Sequence, residues 1–572
     1  MKRIDLNGTW DFLVDLDPKY HKKNKNTYAY AQTDWNRRHW KKVEVPGVWN
    51  KYGPELDIYE GVCWFSRTFQ VDKLLTKATS LLRFGAVNYL CEVFVNGECV
   101  GMHEGGYTEF TFDVSSFLQK GENTIALRVD NRAFIMKLPP VLGYFNYGGI
   151  HRDVSLEIYP DSFMENLFIS AEPIRRGGRL TIRGFVEKKT KEILNIKVAC
   201  EGVSGQVTVK ADSSFEMILD TENVKTWTPE NPVLYDTKII LLSGEEIVDT
   251  REVRIGFRSI TAQSDEILFN DKPIQLNGIC YVYDSPAYGL VMKKEQFLTD
   301  ISLLKELGVN IIRSHFPFPN EFYEACDRAG IMVWVETPVY CINPGKEKIN
   351  TVFSDPSWLL LAKQMIKEMI IQARNHPCVV IYSIGNECNV DCPEAEPFFS
   401  KLAATVRELD TTRLVSYAAL YGMVGPIGDM VDVIGVNEYW GWYDRLKGGG
   451  TPKAGAQGLP DLKIVEKKLT ELSKQFKKPL LLTEFGADSI PGFRSESLEL
   501  WSEDYHAELL KLTIELARTL PRVCGTFPFC FSDYRDPSKF VGTHWDAVNY
   551  KGVVSYNRTK KISFKYLKAL YR

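Results

Sequence analysis

Hydrophobic and polar positions follow two different rhythms along this chain. Up to about residue 158, short apolar runs alternate with turn residues: CWFSRTFQV, LLRFGAV, CEVFVNGECVG, NTIALRVDN and VSLEIYP. Asn96-Gly97 between two such runs predicts a hairpin. Frequent short strands of this kind predict a β-sandwich, jelly-roll-like, over residues 1–160. LTIRGFVEKK, LNIKVACEG, YDTKIILLSG and DTREVRIGF continue the pattern, and about 95 residues of it fit an immunoglobulin-like β-sandwich over 161–257.

Near residue 258 the rhythm changes to apolar strands separated by amphipathic helices, the pattern of βα units. The strand candidates are IQLNGIC, VNIIRS, IMVWVE, VVIYSIG, LVSYAA, DVIGVN, LLLTEF and GTFPFCF. Helices are expected between most of them, for example over Lys293–Leu307 and Trp358–Arg374. Eight such units predict a (β/α)8 TIM barrel over 258–572.

Composition narrows the class. At 572 residues the chain is long enough for about three or four domains. A net charge of −3 gives no basic field for nucleic acid and no pull toward acidic membranes. Twelve cysteines, with no C-x-x-C pair and no zinc-type spacing, read as free thiols in a reducing compartment. No metal and no cofactor is expected. MKRIDLNGTWDF has no apolar signal core, and no stretch approaches 18 apolar residues. A cytoplasmic location is therefore expected.

The candidate chemistry lies where the barrel strands stop, because the carboxyl ends of such strands carry the active site. VVIYSIGNEC runs apolar without alternation and then meets Asn386 and Glu387. A charge ending a buried strand is costly unless that end opens into a polar cleft; the bland alternative is a simple ion pair with a nearby base. Strand two ends in Arg313-Ser314-His315, strand three at Glu336, strand six at Asn437-Glu438-Tyr439 and strand seven at Glu484. Two carboxylates in one cleft can divide acid and base work when their environments differ. Glu387 and Glu484 suit that division, and glycoside hydrolysis is the reaction that most wants it.

NIIRSHFPFP (310–319), RNHPCVVIYSIGNE (374–387) and KPLLLTEFGAD (478–488) resemble the three signature stretches of the family 2 glycoside hydrolases. The resemblance covers essentially the whole chain and makes residues 1–160 a sugar-binding-like sandwich. It implies Glu387 as acid/base, Glu484 as nucleophile, and Asn386 as the partner of the sugar 2-hydroxyl. It places Tyr443 of NEYWGWY near the nucleophile, and Asn437, Tyr439 and His315 among the pocket residues. Within the family, VNEYWGWY, FNYGGIHR and AVNYKGVV are similar to the β-glucuronidases. Asn549-x-Lys551 resembles their pair for the sugar carboxylate, and an ammonium is suited to such an anion. Lys551 would then stand unpaired when a neutral sugar binds.

The departures bear on the sugar. Gly143 stands where those enzymes have an aspartate at the 4-hydroxyl end, with Tyr144 next to it. Val282 stands where histidine is common, and Trp545 where an arginine is expected. These changes suggest that a galacturonide, the C4 epimer, is accepted, with Tyr144 or Trp545 packing on the altered face. The segment YCINPGKEKINTVFSDP is short for this group and would leave the aglycone side open.

The expected partners are uronic-acid glycosides, and a homo-oligomer is expected because such relatives commonly form dimers or tetramers. Arg313 is expected to steady the carboxylates and Glu336 to support from behind. His315 could instead be a satisfied core histidine, Glu438 is open, and Trp440 and Trp442 could stack on sugar or simply pack. The alternatives are a β-galactosidase or β-mannosidase of the same family and, from another class, a catalytically silent carbohydrate-binding protein.

Overall fold

The computed structural model describes residues 1–16, 22–24, 27–72, 78–133, 137–140, 143–189, 192–342, 351–447, 451–540 and 547–572. Its first part is a sandwich of two antiparallel sheets. One has six strands, in the order Glu98–Glu104, Leu90–Val95, Gly121–Asp130, Val62–Val71, Gly8–Asp15 and Lys41–Val45. The other has four, in the order Lys2–Asp5, Val154–Tyr159, Thr79–Phe84 and Phe110–Asp113. The expected hairpin is there: Val95 pairs with Glu98 across Asn96 and Gly97, both at positive φ. That left-handed pair matches the twist of the strands it joins. A second sandwich follows, with three strands facing four between Ser162 and Ile255. Alternating burial along Gly177–Lys188 and Leu194–Cys200 turns every second side chain into its core.

The remainder is a closed parallel barrel. Its strands are Leu276–Cys280, Ile311–Ser314, Met332–Glu336, Val379–Asn386, Leu414–Leu420, Val433–Asn437, Leu480–Glu484 and Val523–Thr526, here called strands one to eight. Strand four is buried at all eight positions, as its unbroken apolar run requires. The helix Lys294–Leu307 ends at Gly308, whose φ of 85° turns the chain toward strand two. The helix Pro356–Ala373 starts under Asp355, whose side chain accepts from the Ser357 amide at 2.8 Å. Strand eight is shorter than the sequence suggests. Its ladder stops at Thr526 because Pro528 has no amide hydrogen to continue it.

The first sandwich reaches over the barrel mouth. Tyr107 stacks on Phe316 at 4.0 Å between centroids, and Tyr147 donates to Asp284 at 2.9 Å. Arg152 donates to the carbonyls of Tyr107 and Pro317. At the other end Arg258, after the second sandwich, donates to the carbonyls of Pro377, Val379 and Thr412 at 3.2, 3.0 and 2.8 Å. That clamp fixes the start of strand four, the strand that ends at Asn386.

Candidate active site

Strand four delivers Asn386 and then turns sharply: Glu387 has φ 49°, a left-handed conformation that a non-glycine residue adopts only under constraint. The constraint includes the Glu387 amide, which donates to Ala418 O at 2.9 Å. The Glu387 side chain is held by Asn437 Nδ2 at 2.7 Å on Oε1, with the Cys341 sulfur 3.7 Å from Oε2. Burial first, and the charge of Glu484 next, push its carboxyl from 4.5 up to about 8.

Glu484 sits in a different environment. Arg313 Nη1 donates to its Oε1 at 2.8 Å, and the Tyr439 hydroxyl donates to its Oε2 at 2.8 Å. Arg313 is buried, 1% exposed at its side chain, and also donates to Glu336 at 3.2 Å and to Asn386 Oδ1 at 2.7 Å. One guanidinium therefore ties the ends of strands two, three, four and seven together. Although Glu336 is buried, Arg313 and then His315 hold its carboxyl below the usual range. An ionised Glu336 can only accept, so His315 Nδ1 carries the hydrogen in their 2.9 Å contact. His315 Nε2 is thereby turned toward Glu484, at 3.7 Å.

The amides have distinct tasks. Asn437 uses both amide hydrogens, on Glu387 and on Asn386 Oδ1, while its own oxygen accepts from Thr483. These contacts are all within the protein, where the sequence suggested a substrate contact. Asn386 has both lone pairs of Oδ1 occupied, by Arg313 and Asn437. Among the described residues its Nδ2 has only the Cys341 sulfur at 4.0 Å beside it, so the amide offers a donor to a ligand.

The segments after strands seven and eight form the other wall. Lys551 Nζ lies 2.6 Å from Asp488 Oδ2, with both side chains at most 1% exposed. Lys539 Nζ reaches the same oxygen at 3.2 Å. Burial opposes the Asp488 charge, but the two lysines hold its carboxyl well below the usual range. Burial likewise opposes the Lys539 charge, and Asp488, Tyr443 and Asp536 outweigh it. Lys551 was expected to be left unpaired when a neutral sugar binds; a buried ammonium needs a partner, and Asp488 supplies one with no sugar present. Asn549 is also engaged, donating to the Tyr534 hydroxyl at 3.1 Å and to Asp536 at 3.2 Å.

Tyr443, expected near Glu484, sits one ring further out. It packs on Tyr439 at 5.1 Å and under Lys539 and Lys551 at 5.3 and 5.0 Å. Tyr144 is buried, with its hydroxyl donating to Pro140 O at 2.9 Å and its ring edge-on to Phe316 and Tyr340. Trp442 is fully buried against Trp501, so it packs, while Trp440 donates to Asp461 O. Glu438 is paired with Lys468. Trp545 and residues 343–350 of the segment after strand three lie outside the described residues.

Sequence reasoning missed Lys539 and Asp488. Asp488 stood in the quoted KPLLLTEFGAD, four residues past Glu484, and an acid so close to a strand end was a usable signal. Lys539 lies in an ordinary-looking DPSK turn and carried none.

Three family models match in sequence. Residues 4–160 match the sugar binding domain of glycosyl hydrolases family 2, residues 163–258 the model described as glycosyl hydrolases family 2, and residues 260–572 the TIM barrel domain of that family. The chain belongs to glycosyl hydrolase family 2. It is a glycosidase. A β-glucuronidase of Paenibacillus borealis is 26% identical over 99% of this chain and 96% of that protein. A β-galactosidase of Thermoanaerobacter pseudethanolicus is 26% identical over 98% of this chain and 70% of that protein. Among solved structures, the β-galacturonidase of Eisenbergiella tayi bound to galacturonate superposes with a TM-score of 0.83 at 25% identity, covering 100% of this chain and 97% of that one. The β-D-glucuronidase of Dictyoglomus thermophilum gives 0.84 at 27% identity, covering 100% and 97%. Among the described residues of this family 2 enzyme, no group of histidine, cysteine and carboxylate side chains could hold a metal, and no helix is long and apolar enough to cross a membrane.

Proposed function

We propose that this enzyme is a retaining exo-β-hexuronidase that releases terminal glucuronic or galacturonic acid. The observation that carries the reading is the unequal pair of glutamates: Glu387 is buried against Asn437 beside the Glu484 charge, which raises its carboxyl above the usual range, while Glu484 is bound by a guanidinium and a phenol. In the first step the Glu387 proton passes to the glycosidic oxygen as its bond to C1 breaks. Glu484 Oε bonds to C1 from the opposite face and the aglycone leaves. In the second step Glu387, now ionised, takes a proton from water as that water attacks C1, and Glu484 departs as carboxylate. Asn386 Nδ2 donates to the 2-hydroxyl, a bond that tightens as charge develops at C1. Tyr439 and Arg313 hold the nucleophile in line.

For the sugar, two ammonium groups converge on a single Asp488 oxygen. An ammonium has three N–H donors, so Lys539 and Lys551 retain donors for a carboxylate on C5. Asn549 braces that wall through Tyr534 and Asp536. The relatives named β-glucuronidase and β-galacturonidase support the same substrate class. A neutral-sugar reading, β-galactosidase, draws on one observation, that Lys551 is already paired. Assay against p-nitrophenyl β-glucuronide, galacturonide, galactoside and mannoside separates them. Either uronide at least tenfold ahead in kcat/KM is the expected result; a hexoside ahead of both would overturn the proposal.

A further inference from the structure

A cavity of about 50 Å³ lies where the first sandwich meets the barrel mouth, behind His315 and Tyr534. His315, whose Nε2 is 3.7 Å from Glu484, bounds it on one side. Tyr534, whose hydroxyl accepts from Asn549, bounds it on the other. Between them the wall is Val282, Leu290, Phe316 and Tyr144. The charged side chains that reach this wall are satisfied within the protein. Asp284 accepts from Tyr147, Tyr556 and the Arg535 amide, Arg152 donates to two carbonyls, and Arg535 forms a two-point pair with Asp57. The hole is thus lined mainly by aliphatic and aromatic surface, and it exceeds the roughly 10–15 Å³ that one water needs.

The hexuronidase reading fixes how a sugar would lie. Glu387 and Glu484 mark C1, Asn386 marks C2, and the two lysines mark the substituent on C5. Around a pyranose this leaves C3 and C4, with C4 next to the lysine end. His315 lies against Glu484 at the C1 end and Tyr534 against Asn549 beside Lys551, and both line the cavity, which puts the 4-oxygen on its side of the ring. A free 4-hydroxyl there would exchange water for apolar surface without a new partner, which is unfavourable. A methyl on that oxygen would instead fill space the protein leaves empty. We propose, resting on that reading, that the cavity is a subsite for a methyl ether on the 4-oxygen of the terminal hexuronic acid. The enzyme is then suited to 4-O-methylated uronides.

The test uses the full-length enzyme and two matched pairs: p-nitrophenyl β-D-glucuronide and β-D-galacturonide, each with and without a 4-O-methyl group. In at least one pair the methyl ether should have the higher kcat/KM, by about fourfold for one buried methyl-sized group. Val282→Phe, which fills the cavity, should lower kcat/KM for that ether at least tenfold and leave its parent within twofold; Val282→Leu should give a smaller loss of the same kind. The proposal is overturned if both methyl ethers are cleaved less efficiently than their parents. It is also overturned if the fillings that fold depress ether and parent alike, or leave both unchanged. If no uronide of either kind is cleaved while a neutral hexoside is, it is the hexuronidase reading that falls.

Discussion

Lys551 and Asp488 form a buried pair 2.6 Å apart, and Lys539 shares the same carboxylate oxygen at 3.2 Å. Removing Lys551 would leave Asp488 more weakly compensated in the interior, so loss of stability would cloud any loss of activity. Lys539 is the cleaner probe, because it is 14% exposed and leaves the tighter pair intact. Lys539→Met should lower kcat/KM for a uronide by about 10- to 100-fold, the range of one charge-assisted hydrogen bond. Its unfolding midpoint should stay close to that of the wild type, and Lys539→Arg should recover part of the activity. Steady-state kinetics beside thermal melts check this.

Glu387 sets a pH window. Its folded value of about 8 lies above the ordinary 4.5, so the folded state binds the extra proton between them. The stability this contributes is full below about pH 4.5 and is lost as pH rises through 8. kcat/KM should therefore fall above pH 8 as the acid form disappears. Glu387→Gln, neutral at every pH, should melt no lower than wild type near pH 6 and higher than it at pH 9. Melting both proteins across that range is the check.

Among the described residues no oxygen accepts from Asn386 Nδ2, and a substrate without its 2-hydroxyl cannot use that donor. Asn386→Ala should lower kcat/KM for an ordinary uronide by about 100-fold, because an interaction strengthened in the transition state is lost. With a 2-deoxy uronide the loss should be clearly smaller, and what remains comes from Arg313 and Asn437, whose acceptor on Asn386 is gone. That pair of comparisons forms a double-mutant cycle in which one change is made in the substrate.

Arg258 joins the second sandwich to the barrel through three carbonyls. Arg258→Met removes the donor to all three, leaving only Val379 O with a second donor, Arg413, and should cost roughly 3 kcal/mol. The effect should appear as a lower urea midpoint, with kcat falling only at denaturant concentrations where strand four loosens.

Much of this was legible in the chain. Strand four could be read because all eight of its positions are buried, which leaves an unbroken apolar run. Glu387 and Glu484 could be read because each ends such a run. What pairs with what was not legible, because pairing depends on segments far apart in sequence. Lys551 meets Asp488 across 63 residues, and Tyr439 rather than Tyr443 reaches Glu484 because only the first of them is close enough to strand six. The end of strand eight was misplaced because apolar residues flank Pro528 and mask the missing donor. The cavity beside Val282 is a property of packing between the sandwich and the barrel, and no local pattern encodes it.

The central claim is a covalent hexuronosyl intermediate on Glu484. The most direct measurement is the intact mass of the enzyme after incubation with 2-deoxy-2-fluoro-β-D-glucuronosyl or galacturonosyl fluoride, followed by peptide mapping. The expected result is a mass increase of one 2-fluoro-hexuronosyl group on the peptide carrying Glu484, and none in Glu484→Gln. An enzyme that turns over uronides yet stays unmodified and releases product of inverted configuration, or that carries the label on another residue, would contradict it.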